Sequence, residues 1–157
     1  LIPFLSGLTG KELDPLARYF LWEYGLDYDH GTGHGVGVFS NVHQGPQGIS
    51  RLNTVPLNPG MILSVEPGVY LEGKLGIRLE NLVYVKKKSG NSRQKREFLE
   101  FETLTLVPFE KKLIEKDLLS RDELHWLNSY HDNVYNKLSP FLNVSEKTWL
   151  RDACKIL

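Results

Sequence analysis

The sequence predicts an α+β fold, and three observations carry that expectation. Thr9-Gly-Lys-Glu12 is a capping-box pattern that opens a helix running to about Tyr24, with Gly25 as its stop. Met61 to Val65 and Ile77 to Val85 are apolar, strand-like runs. Pro67-Gly68, Gly73 and Gly76 between them supply the turn chemistry for antiparallel pairing. From Glu110 onward the pattern turns helical. Ser120-Arg-Asp-Glu123 is a second capping box, and Leu124, Leu127, His131, Val134 and Leu138 repeat at helical spacing.

The first helix shows an apolar stripe of Leu13, Leu16, Ala17, Phe20, Leu21 and Tyr24. Pro15 fits it in one of two ways. Either the first turn is kinked, or the helix starts at Asp14 with Pro15 in its first position. His30-Gly-Thr-Gly-His-Gly-Val-Gly37 follows, with Asn41-Val42-His43 close behind. Histidines four apart suit a zinc-binding helix, but two glycines separate His30 from His34, and each costs a helix ~1 kcal/mol. A bent or extended backbone that approaches a ligand or a strand is expected instead. The glycines alternate as GxGxGxG, not as the dinucleotide GxGxxG, and no Val/Ile-rich strand precedes them.

Side chains alternate faces along a strand. Met61, Leu63 and Val65 point one way and Glu66 the other; Ile77, Leu79 and Val83 share a face opposite Arg78 and Glu80. Pairing of the two strands could bring Glu66, Glu80 and Arg78 onto one surface. Two glutamates and a histidine suit a divalent ion, with carboxylate oxygens favouring the harder ones. An exposed strand face would account for the same charges without a ligand.

Gln44 to Pro59 reads as a loop, and Lys86 to Glu97 as a solvated hairpin tip. Its basic residues around Ser89-Gly90-Asn91, Arg93 included, lack the interleaved aromatics of a nucleic-acid surface. Phe98 to Leu106 is the return strand. Ser145 is expected to cap a last helix bearing Trp149, Leu150, Ala153 and Cys154. His125 and His131 have no carboxylates at ligand spacing and are read as packing or surface residues.

Nineteen basic and nineteen acidic residues cancel among 157, so bulk charge points to neither nucleic acid nor membrane as a partner. One cysteine, Cys154, precludes an internal disulfide and fits a reducing, cytoplasmic compartment. No apolar run approaches the ~20 residues of a membrane span.

Five motifs in order now carry a resemblance: His30-Gly-Thr-Gly-His34, Asn41-Val42-His43-Gln44-Gly45-Pro46, Pro59-Gly60-Met61, Glu66-Pro67-Gly68, and Gly76-Ile77-Arg78-Leu79-Glu80-Asn81. Together they closely resemble the Xaa-Pro aminopeptidases, pita-bread metallopeptidases whose relatives include prolidase and methionine aminopeptidase. Phe98-Leu99-Glu100-Phe101-Glu102 followed by Leu104 to Pro108 looks like the lead into the C-terminal extension of the cytosolic form.

The resemblance implies the C-terminal part of a pita-bread catalytic domain over residues 1–108 and a helical extension over 109–157. It implies that His34, Glu66 and Glu80 are metal ligands, with Glu80 bridging two ions and Glu66 also handling the proton of the attacking water. His30 and His43 would lie in the substrate pocket and assist with substrate and proton positioning, and Arg78 would support the site from behind the ligands. The implied ions are two, manganese by preference, with cobalt or zinc satisfying the same ligands. The implied reaction removes the N-terminal residue from peptides with proline second, in a homodimer joined through the C-terminal region.

The family also uses two aspartates from an earlier strand pair and another pocket histidine, and only 29 residues precede His30. Asp27 and Asp29 are read as turn or pocket-rim residues, and Asp14 as a helix-start residue. The chain is therefore expected to be part of a longer enzyme and inactive alone. Two other readings are a prolidase-type dipeptidase and a non-catalytic binding or dimerisation fragment.

Overall fold

Phe4–Leu5 (β1) and Gly10–Trp22 (α1) open the chain. Gly33–His34 (β2), Gly48–Ile49 (β3), Ile62–Val65 (β4), Gly68–Leu71 (β5), Leu75–Arg78 (β6), Asn81–Lys87 (β7) and Phe98–Thr103 (β8) follow. Arg121–Leu138 (α2) and Val144–Ala153 (α3) close it. The computed structural model describes residues 2–39, 41–90 and 95–157. The expected hairpin tip at Asn91 and Arg93 lies outside the described residues. The chain packs as two units, Leu1–Thr105 and Leu106–Leu157.

In the first unit an antiparallel sheet runs in the order β1-β8-β7-β4. Two short ribbons, β2-β3 and β5-β6, flank the glutamate-bearing strand end. The period-2 pattern buries Val83 and Val85 on one face of β7, and Leu63 stands directly opposite Val83. Phe4 pairs across from Leu99, and Leu13, Ile49 and Leu57 complete the core. The expected pairing of the two apolar strands is present, as β4 with β7.

The run Ile77 to Val85 is two strands, not one. β6 pairs with β5 as a tight hairpin, whereas β7 pairs with β4, so the chain changes partner at Leu79-Glu80. Ile77 and Leu79 are consequently about half exposed, while Val83 is 1% exposed.

Helix α1 begins at Gly10, with the Thr9 amide donating to Glu12 Oε2 at 2.7 Å as the capping box requires. Pro15 therefore lies inside the helix and removes one intrahelical bond. Only part of the apolar stripe faces the core: Leu13 is buried in it and Ala17 and Leu21 are half-buried, but Leu16, Phe20 and Tyr24 are exposed, and the other buried positions are Gly10, Asp14 and Arg18. Polar residues can hold those positions because they satisfy each other: Arg18 and Asp14, four apart, form a fully buried ion pair.

In the second unit, Glu110 to Leu119 holds two single 3₁₀ turns, Lys111–Leu113 and Lys116–Leu118. α2 carries the Ser120–Glu123 capping box and buries Leu127, Tyr130, His131 and Val134. α3 is capped by Asn143, whose Oδ1 accepts from the Glu146 amide at 3.0 Å; Ser145, the expected cap, is already inside the helix. Leu150 and Cys154 pack against Tyr130 and Val134, whereas Trp149 is exposed. Leu106 and Phe109 join this cluster, and the Tyr130 hydroxyl donates to the Val107 carbonyl at 2.7 Å. That anchorage is why the units divide between Thr105 and Leu106, ahead of Pro108.

His131 is fully buried, and its Nε2 accepts from the Phe109 amide at 3.1 Å. Burial, reinforced by nearby Lys111 and opposed by Asp132, holds its pKa below the ordinary value. The unfolded chain therefore binds a proton at His131 before the folded chain does. The chain is expected to lose stability as pH falls below about 6.5, by up to about 1.4 kcal/mol per pH unit, until the folded pKa is reached. Thermal melts between pH 7 and pH 5 on the wild-type and His131→Gln chains check this; the variant should lose the His131 share of the slope.

Candidate metal centre

Strand β2 can reach β4 because residue 33 has no side chain. A Cβ on Gly33 would lie 1.8 Å from the Ser64 carbonyl oxygen. That approach brings His34 onto the end of β4. The His34 amide donates to Ser64 Oγ at 3.0 Å, and Ser64 Oγ donates to Glu66 Oε1 at 3.0 Å. The Glu66 amide donates to the Thr32 carbonyl at 2.7 Å. Ser64 and Glu66 are both buried, so one hydroxyl orients both the histidine and the carboxylate.

Glu66 Oε1 lies 3.1 Å from His34 Nε2, and Arg78 Nη1 donates to Glu66 Oε2 at 3.2 Å. Glu80 stands in the break between β6 and β7. One donor atom each from His34, Glu66 and Glu80 lies within 4.8 Å of the other two. Among the described residues no other group of three or more such side chains converges in this way. Ligand atoms held about 2.0–2.2 Å from one ion stand up to roughly 4.4 Å apart, so small side-chain adjustments would suit this set to an ion.

The hydrogen bonding of His34 supplies an independent test of that fit. Its Nδ1 lies 2.9 Å from the Gly35 carbonyl, a partner that can only accept, so the ring proton belongs there. In the neutral ring Nε2 then carries a lone pair and faces a carboxylate oxygen at 3.1 Å. Two acceptors at that distance call for a cation or a proton between them. The donor set and the tautomer both fit a divalent metal.

His30, His43 and Arg78 adjoin this cluster. His30 Nδ1 donates to the Gly31 carbonyl at 2.7 Å, which leaves Nε2 to accept from the Tyr70 hydroxyl at 2.9 Å. Tyr70 in turn accepts from Arg78 Nε at 2.8 Å. A continuous polar chain therefore links His30, Tyr70, Arg78 and Glu66. The His43 ring is exposed and sits 4.1 Å from that of His34, centroid to centroid.

Sequence reasoning missed Tyr70 and Ser64. Tyr70 left a signal in the glycines around it: Gly76 is its cross-strand partner, and a Cβ on Gly68 would lie 2.6 Å from the Tyr70 hydroxyl oxygen. It missed Arg18 as well. The expected helix-start Asp14 is instead a fully buried carboxylate in mid-helix, held by Arg18 and by the Thr32 hydroxyl at 2.6 Å. Asp27 accepts from Arg18, Arg51, Trp22 Nε1 and the Tyr28 amide. Although burial opposes ionisation, the hydrogen bonds from Trp22, Arg18 and the Tyr28 amide hold its carboxyl far below the usual range. Asp29 is exposed, as is His125. Neither Asp27 nor Asp29 joins the convergent donors.

Residues 4–87 match metallopeptidase family M24, and residues 97–157 match the C-terminal region of peptidase M24. The chain belongs to metallopeptidase family M24. The M24 chain overlays the crystal structure of X-prolyl aminopeptidase from Caenorhabditis elegans with a TM-score of 0.92 and 41% identity. That overlay covers 99% of this chain and 26% of that one, which is described as a cytosolic enzyme with a di-nuclear active site. Xaa-Pro dipeptidase from Bacillus anthracis matches with a TM-score of 0.53 and 32% identity, over 68% of this chain and 27% of that chain. A probable Xaa-Pro aminopeptidase P from Botryotinia fuckeliana is 50% identical over 153 residues, 94% of this chain and 23% of the relative. The M24 chain thus spans about a quarter of the length of the curated relatives it matches. Its fold is α+β, of the pita-bread type.

Proposed function

We propose that this chain forms part of the catalytic region of an Xaa-Pro aminopeptidase, a dinuclear metallopeptidase that removes the residue preceding proline. The observation that carries this reading is the convergence of His34, Glu66 and Glu80, with His34 Nε2 3.1 Å from Glu66 Oε1. Likeness along nearly the whole chain to an aminopeptidase, against about two thirds of it to a dipeptidase, supports the aminopeptidase branch over the prolidase branch.

In this reading His34, Glu66 and Glu80 would be part of the ligand set for two divalent ions, manganese by preference, and Glu80 would be the ligand common to both. The ions supply Lewis acidity and lower the pKa of water to within reach of neutral pH. Glu66 receives the proton of the attacking water and returns it to the leaving amine, with Arg78 and Ser64 fixing the angle of its carboxylate. His43, exposed beside His34, meets the substrate and assists that transfer. His30 lines the pocket. Proline makes the scissile bond a tertiary amide without an N–H, so recognition depends on accommodating its ring.

The protein is further read as a cytoplasmic homodimer joined through its C-terminal region, where Phe141, Val144 and Trp149 are exposed. No helix among the described residues is long and apolar enough to cross a membrane. Neither a membrane nor a nucleic acid is a proposed partner.

His43→Ala tests the assignment with little risk to the fold, because the side chain is exposed. In the active enzyme that carries this chain, turnover of an Xaa-Pro peptide should fall by roughly 10²–10⁴-fold, the range for a lost proton-transfer group. The melting temperature should stay within error. Near-normal steady-state kinetics would remove His43 from the catalytic set.

A further inference from the structure

We propose that Arg18 is a positioning residue for His30, setting the direction in which that imidazole faces the substrate pocket. The proposal rests on the reading of His30 as a pocket residue.

A guanidinium has five N–H donors, and all five of Arg18 are used. Nε and Nη2 donate to the two Asp14 oxygens at 2.7 and 3.2 Å. Nη1 donates to Asp27 Oδ1 at 2.7 Å and to the Tyr28 carbonyl at 2.6 Å. Nη2 also donates to the carbonyl of His30 itself at 2.8 Å. The side chain is 2% exposed and its Cζ lies 3.9 Å from the centre of the Tyr28 ring.

A surface helix does not ordinarily bury an arginine to stabilise itself, since buried ion pairs contribute little net stability. What distinguishes this one is the identity of its acceptors. Two are backbone carbonyls that flank Asp29, in a segment with no strand partners of its own. Clamping residues 28 and 30 fixes the peptide planes on both sides of the turn into the histidine segment. The Tyr28 ring, gripped from one face by Arg18, stands 4.8 Å from the His30 ring on its way to Tyr70. The same network reaches Thr32 through Asp14, and the Tyr28 hydroxyl lies 2.6 Å from Thr32 Oγ1. Both ends of the loop are thereby tied to one guanidinium. Lysine cannot replace it, because an ammonium offers three donors from a single point and not a planar fork.

The test is a double-mutant cycle in the active enzyme, read as kcat/KM on an Xaa-Pro peptide. Arg18→Lys keeps the charge that Asp14 needs, and should lower kcat/KM about 10–100-fold, the scale of a misplacement near 1 Å. In a His30→Ala background the same change should cost less than about 3-fold, because a residue acting through His30 has nothing left to position. Nitrogen spectra of the imidazoles should show His30 protonated at Nδ1 in the wild type and a mixed tautomer in Arg18→Lys. If Arg18→Lys does not fold, Asp27→Asn takes its place, since it loosens one side of the clamp and leaves the buried ion pair intact. Its loss, about 3–10-fold, should likewise vanish without His30. Normal kcat/KM in a folded Arg18→Lys enzyme, or a loss undiminished in the His30→Ala background, would overturn the positioning role. Normal hydrolysis by His30→Ala alone would overturn the pocket reading on which it rests.

Discussion

Glu80→Gln should abolish hydrolysis in the active enzyme, with kcat/KM down by at least about 10³-fold, more than the low end of a lost proton-transfer group. Glutamine keeps the size and the exposed position of the side chain, so folding should be untouched. What it loses is charge and one of two equivalent acceptor oxygens. In the proposed role Glu80 would need both, since a ligand common to two ions would use both oxygens and a full negative charge to offset two dications. The residue sits where the chain leaves β6 and enters β7, so its backbone is fixed by two different sheets. Steady-state kinetics at saturating manganese decides the matter. Recovery of turnover at high metal concentration would demote Glu80 to an affinity residue.

The largest structural effect is expected at Gly33. An alanine Cβ there would lie 1.8 Å from the Ser64 carbonyl oxygen and 2.8 Å from its carbonyl carbon. Both are backbone atoms of β4, which is hydrogen-bonded to β7 along its length, so the neighbour cannot swing aside as a flexible side chain would. Ordinary overpacking costs about 1–3 kcal/mol, and so close a clash with the Ser64 backbone belongs at or above the top of that range. Gly33→Ala should also separate His34 from Ser64 and Glu66, and so lose metal affinity along with stability. Chemical denaturation of the wild-type and variant chains gives the first quantity. A loss below about 1 kcal/mol would mean that β2 can withdraw from β4 at little cost.

How much of this was legible in the sequence depended on whether the signal was local. The capping boxes at Thr9 and Ser120, the break at Pro67-Gly68 and the pairing of Met61–Val65 with the later strand are short-range patterns, and each has its counterpart in the structure. His34, Glu66 and Glu80 were nameable because their motifs recur in a family; their convergence is a fact of geometry. Where the sequence misled, a long-range contact had outweighed a local pattern. The stripe of Leu16, Phe20 and Tyr24 has helical spacing, yet the helix turns Asp14 and Arg18 inward because they find buried partners in the histidine segment. Nothing in residues 14 to 18 announces those partners. Ile77 to Val85 is an unbroken apolar pattern, and only the competition between two pairing partners splits it. Tyr70 was overlooked for the same reason: its partners, His30 and Arg78, lie 40 and 8 residues away.

The central claim is that His34, Glu66 and Glu80 of this chain are metal ligands and that Asp27 and Asp29 are not. The most direct measurement is a manganese titration of the 157-residue chain, followed by the paramagnetic resonance of the free ion. With three donors, the chain should bind manganese weakly and at fewer than two ions per chain. Glu80→Gln should weaken that binding about 10-fold or more, while Asp27→Asn and Asp29→Asn should leave it unchanged. Tight binding of two ions that survives Glu80→Gln and is lost in Asp27→Asn or Asp29→Asn would contradict the account.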